Sequence, residues 1–197
     1  MARPTGTTRA KKPMFKKEYE RLINATYKSL SIRASTRVKL RAAFTLLYHT
    51  GCRISEIAKL HSDDIKSMIA HNEYSTTNLT KTGRTRLISF DTNGCQIELL
   101  KKILPSEDSY LFAKNNSQNP MTTSALTRHM NTFIHKVLGE LYSTHSFRGG
   151  YITIAHKQGH SLEHIREDIG HKNISTTALY ATVTSSEIAE GKNERDW

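Results

Sequence analysis

His145-Ser-Phe-Arg-Gly-Gly150 sets an imidazole and a guanidinium three positions apart, beside Ser146, which opens a helix predicted to run to Gly159. Residues at that spacing on a helix face one way. Outward from this stretch, three more clusters carry chemistry. Downstream, Gly170-His171 precedes Ser175-Thr-Thr-Ala-Leu-Tyr180, which ends in a phenol. Upstream, Thr50-Gly-Cys-Arg-Ile-Ser-Glu-Ile57 puts Arg53 just after a glycine helix stop, where the next helix begins. A guanidinium there stands beside free helix N–H groups, a good cradle for phosphate. Between these, Thr80-Lys-Thr-Gly-Arg-Thr85 reads as a tight turn holding Lys81. Arg84 and Arg86 lie close enough to compete with Lys81 for any role assigned to it.

The spacing of apolar residues predicts a mostly helical α+β domain. Tyr19, Leu22, Ile23 and Tyr27 place a helix over residues 15–30, and Ser35 caps a second over Thr36 to His49, stopped by Gly51. A short helix follows over 53–60. Further helices are predicted over 95–104 (stopped by Pro105), 123–138 (ended by Gly139), 146–159, 161–168 and 175–183. The region 65–90 is different. Ser67 to His71, Tyr74 to Thr80 and Thr85 to Phe90 are short and suit strands, so a small three-stranded antiparallel sheet is predicted there. Tyr110 to Ala113 reads as a short extended piece, and Asn115 to Pro120 as a polar loop.

The 197 residues include 29 Lys and Arg against 18 Asp and Glu, a net charge of +11. Six of the positive charges (Arg3, Arg9, Lys11, Lys12, Lys16, Lys17) fall in the first seventeen residues, which hold no acid. Such an excess points to a polyanionic partner, most commonly nucleic acid. Hydrophobic residues at 37% allow a real core, and 24% charged is too ordinary for a disordered polyampholyte. No apolar run approaches the length of a transmembrane helix, and none follows the basic start as a secretory signal would. Cys52 and Cys95 are far apart and lack zinc-type spacing, so a reducing compartment is expected. His156, His160 and His164 recur near helical spacing, but no acidic partner set for zinc accompanies them.

Taken together and in order, the four clusters resemble the tyrosine recombinases, the phage integrase family. TGCRISEI looks like that family's first arginine box, the turn lysine sits where its hairpin lysine does, HSFRGG looks like its His-x-x-Arg box, and GHKNISTTALY like its closing segment. The resemblance implies a single catalytic domain over residues 14–183, preceded by a flexible basic arm (1–13) and followed by a tail (184–197) exchanged between protomers. It implies a site-specific recombinase that cleaves and rejoins double-stranded DNA through a 3′-phosphotyrosyl intermediate. It would act as a homotetramer in DNA integration, excision or inversion, in the cytoplasm at the nucleoid or in an organelle matrix. Most relatives also carry an N-terminal core-binding domain, and the chain is expected to be a short form without it. Arg3, Arg9, Lys11 and Lys12 are then candidates for DNA contact from the arm.

The chemistry implied by the resemblance suits these side chains. Tyr180 is the expected nucleophile, and Arg53 and Arg148 grip the non-bridging oxygens in forked geometry, charged at any useful pH. Such groups stabilise charge as it develops, about 3–4 kcal/mol for one well-placed donor. Lys81 protonates the leaving 5′-oxygen as a general acid. His145 either accepts the phenolic proton or helps hold the phosphate, His171 donates a further hydrogen bond to it, and Glu56, three after Arg53, is a supporting acid that orients the site. Fixed cations take the place of a metal, so no metal or other cofactor is expected. Two alternatives stay open: a type IB topoisomerase with a similar constellation, and a DNA-binding module that keeps the fold without the activity.

Overall fold

The computed structural model describes residues 11–71, 73–75, 87–89, 98, 101, 102, 104, 109–114 and 119–180. Helix α1 (Lys16–Lys28) turns Leu22 and Thr26 inward. Helix α2 (Ala34–Thr50) is the centre of the domain, with every residue from Ala42 to Leu47 buried. A stretch buried on all sides must be surrounded, and α2 is packed by α1, by the short α3 (Ile54–Ile57) and by the helix over Thr144–Lys157. It begins one residue before the expected Ser35 cap and ends at Gly51, whose φ of 58° is the left-handed conformation that glycine adopts without cost.

Residues Ser67 to His71, predicted as a strand, belong instead to helix α4 (Ser62–His71). Asp63 and Asp64 stand in its first turn, favourable to the helix dipole, and Ile65 and Met68 are buried at helical spacing. That spacing outweighs the strand-like residues at its end. The other two predicted strands are present in part as β1 (Glu73–Ser75) and β2 (Leu87–Ser89), antiparallel with Tyr74 opposite Ile88. The sheet among the described residues therefore has two strands, not three. The helix predicted over 95–104 falls mainly outside the described residues; Glu98, Lys101 and Lys102 are helical. Tyr110 to Ala113 is a turn with an isolated bridge at each end, to His61 and to Pro120.

Helix α5 (Thr123–Leu138) has the predicted bounds, because Thr122 accepts from the Ala125 N–H at one end and Gly139 closes the other. Helix α6 (Thr144–Lys157) starts two residues earlier than expected. Ser143 caps it reciprocally with Ser146, and Asn131 of α5 accepts from the Thr144 N–H at 2.9 Å. The rings of Phe133 and Phe147 pack on Phe44 at 5.9 and 5.8 Å, which ties α5 and α6 to the central helix. Helix α7 (Leu162–Ile169) packs on α6 through a smaller cluster of Ile152, Ile165 and Ile169. Helix α8 (Ile174–Ala178) is short, and Tyr180 lies in the turn after it, not within a helix. No helix among the described residues is long and apolar enough to cross a membrane.

Candidate active site

The C-terminal end of α2, the start of α3, the first turns of α6 and the end of α7 meet at one place. Arg148 is the buried hub. Its Nη1 donates to the carbonyl of Gly51 at 2.8 Å, its Nη2 to the carbonyl of Ile169 at 2.7 Å, and its Nε to Nε2 of His171 at 3.2 Å. Helix α6 thus clamps the ends of α2 and α7 with one planar guanidinium, a task for which only arginine has the fork of donors. Gly51 is required here twice over. Besides its positive φ, a Cβ at this position would stand 2.8 Å from the Tyr151 ring. The Tyr151 hydroxyl donates to Asp168 Oδ2 at 2.6 Å, a second bond between α6 and α7.

Arg53 reaches the same place from the other side. Its Nη2 donates to the carbonyl of Gly170 at 2.6 Å, and its Nη1 pairs with Glu56 Oε1 at 3.0 Å. The other oxygen of Glu56 accepts from the Arg53 backbone N–H at 2.8 Å. The Glu56 side chain is 2% exposed and that of Arg53 is 38% exposed. A buried carboxylate with backbone and guanidinium partners holds a half-open arginine in one pose.

His171 follows the left-handed Gly170 cap of α7. Arg148 Nε can only donate, so His171 Nε2 accepts, and the ring proton of the neutral tautomer sits on Nδ1. Nδ1 then donates to Thr177 Oγ1 at 3.0 Å. Donation from Nε2 to a phosphate requires a proton on that nitrogen, which the other neutral tautomer supplies when Nδ1 accepts from the Thr177 hydroxyl. Thr177, fully buried in α8, is absent from the sequence-derived set. Its position in a Thr-Thr pair carries no local signal, and only the packing of α8 on His171 selects it.

Tyr180 joins the group from the turn after α8. Its backbone N–H donates to Thr177 O at 3.0 Å, and its ring lies against Gly149, next to Arg148 in the chain. His145 is exposed in the first turn of α6, on the helix that carries Arg148. Lys81, Arg3 and Arg9 lie outside the described residues. Lys11 and Lys12 are described and are tied down. Lys11 Nζ donates to Glu140 O at 2.6 Å, and the Lys12 N–H donates to Leu141 O at 2.9 Å. Met14 behind them is fully buried. The arm expected over 1–13 is therefore anchored on the body at residues 11–13. Among the described residues no group of three or more His, Cys, Asp or Glu is placed to hold a metal.

Arg53, Arg148, His171 and Tyr180 are thus gathered where α2, α3, α6 and α7 meet. The model of the phage integrase family matches residues 12–187, and the chain belongs to that family. It is 28% identical over 151 residues to a tyrosine recombinase of Thermosipho africanus, covering 76% of this chain and 52% of the relative. It is 27% identical over 177 residues to the tyrosine recombinase XerC of Staphylococcus saprophyticus, covering 86% of this chain and 58% of that one. The chain thus spans little more than half the length of these relatives. Its fold superposes on the XerH site-specific recombinase, solved bound to its difH substrate in a pre-cleavage complex. There the TM-score is 0.69 and the identity 18%, over all of this chain and 58% of the other.

Proposed function

We propose that this chain is the catalytic domain of a site-specific tyrosine recombinase, cleaving and rejoining double-stranded DNA. The observation that carries the reading is the convergence of Arg53 and Arg148 on the carbonyls of adjacent residues, Gly170 and Ile169, with His171 following directly and the Tyr180 ring packed on Gly149, the residue after Arg148. In the proposed reaction the Tyr180 oxygen attacks the scissile phosphorus and the bond to the 5′-oxygen breaks. The two guanidiniums neutralise the charge that grows on the non-bridging oxygens. Lys81 supplies the proton to the departing 5′-oxygen, and His145 takes the phenolic proton or helps hold the phosphate. The 3′-phosphotyrosyl link keeps the energy of the bond, so the 5′-hydroxyl of a second strand reverses the step without another energy source. The catalytic domain spans residues 14–183, and it works as a homotetramer on paired sites with residues 184–197 exchanged between protomers.

The test uses nicked suicide duplexes carrying candidate sites, incubated with the protein and then denatured. The wild type is expected to become covalently linked to DNA. Tyr180→Phe is expected to bind the same duplex and to form no link; an adduct that survives this change removes Tyr180 as nucleophile.

A further inference from the structure

Tyr180 is held by one face of α6, and two residues outside the set discussed so far hold it. The first is Gly149. A Cβ built there would stand 3.0 Å from Cε1 and 3.2 Å from Cδ1 of the Tyr180 ring, so the ring rests on bare backbone. Nothing else at this position calls for glycine. The residue is inside a helix, its φ is not positive, and the next neighbour of that Cβ is Pro13 Cα at an ordinary 4.0 Å. Alanine is the better helix former, so the ring is what makes the missing side chain useful.

The second is Thr153, one turn further along α6. Its Oγ1 lies 2.9 Å from the carbonyl of Gly149 and 3.1 Å from the carbonyl of Tyr180. A threonine hydroxyl has one proton to donate, so that proton is shared between the helix's own carbonyl and the tyrosine's. Were the tyrosine to leave, Gly149 O would still accept that proton, and no donor would be left stranded. Leu179, just before the tyrosine, is 74% exposed, so this turn does not dock through a buried leucine.

We infer that Gly149 and Thr153 form a light, reversible seat that positions Tyr180 on the helix that carries Arg148. This inference rests on the recombinase reading above. Gly149 and Thr153 are positioning residues, since they act through the tyrosine and touch no reacting atom.

The test has two readouts on the full chain. One is the 19F resonance of 3-fluorotyrosine placed at position 180, recorded without DNA. The other is the single-turnover rate of covalent linkage to a suicide duplex. Gly149→Ala forces the ring to give by a few tenths of an ångström. It should move the resonance and slow linkage about ten-fold, and Gly149→Val about a hundred-fold, as expected for misplaced reactants. DNA affinity should hold, and the melting temperature of Gly149→Ala should stay level or rise. A merely structural glycine would show the reverse, lowered stability with an unchanged rate. Thr153→Val should slow linkage several-fold and Thr153→Ser should restore it. An unmoved resonance, or equal linkage rates in wild type and both Gly149 variants, overturns the seat alone. A wild type that links to no DNA overturns the recombinase reading, and the positioning role falls with it.

Discussion

Arg53 and Arg148, brought from opposite halves of the chain, donate to the carbonyls of neighbouring residues: Arg53 to Gly170 and Arg148 to Ile169. The end of α7 is thereby a shared rest for both guanidiniums. Two like charges are held close together by backbone carbonyls and one buried carboxylate, which is an arrangement suited to an anion between them.

Arg148→Lys should damage both fold and chemistry. A lysine ammonium is a point donor and cannot span Gly51 O, Ile169 O and His171 Nε2 together. Leaving a buried carbonyl unmet costs about 1–3 kcal/mol, and losing a forked donor placed at the phosphate, though the charge remains, slows linkage about a hundred- to a thousand-fold. Urea denaturation and single-turnover linkage measure the two separately.

Glu56→Ala should free Arg53 from its pose. Because Arg53 is partly open to water, it can be resolvated, so the expected loss of stability is about 1–3 kcal/mol, below that for a fully buried pair. Glu56→Gln keeps an acceptor for the Arg53 N–H and should lose less. The order wild type, Gln, Ala is expected in both denaturation midpoint and linkage rate; equal rates in all three would remove Glu56 from the orienting role.

Gly150→Ala should dislodge the N-terminal segment. A Cβ there would stand 2.0 Å from the Met14 carbonyl oxygen and 2.8 Å from its carbon. Backbone cannot retreat as a flexible side chain can, and the Met14 N–H is bonded to Ser146 O at 2.8 Å. The clash should outweigh the gain in helix propensity, for a net loss of about 1–3 kcal/mol. Faster tryptic cleavage after Lys11, the basic residue here not followed by proline, reports the release.

Deleting residues 2–10 removes Arg3 and Arg9 while leaving Lys11 to Met14 anchored. If those two arginines contact phosphates, the slope of log affinity against log salt should flatten by about 0.9 for each. The melting temperature should hold. An unchanged slope in fluorescence anisotropy titrations would exclude the arm from DNA contact.

Local rules were enough for much of this chain. Thr122 and Gly139 bracket α5, Gly51 and Gly170 stop their helices, and the order of Arg53, His145, Arg148, His171 and Tyr180 is readable from residue types and spacing. Caps and helical periodicity act within about four residues, so they are written in short windows. Where two local signals conflict, the short window fails, as at Ser67 to His71, where strand-prone residues sit at the end of a helix governed by Ile65 and Met68. The partners of Arg148, the buried Thr177 beside His171 and the bare backbone of Gly149 under Tyr180 are of another kind. Arg148 meets a carbonyl 97 residues away, and Arg53 one 117 residues away. Contacts over such distances exist only once α6 has packed on α2 on one side and on α7 on the other, because side-chain chemistry names a donor but packing alone chooses its acceptor.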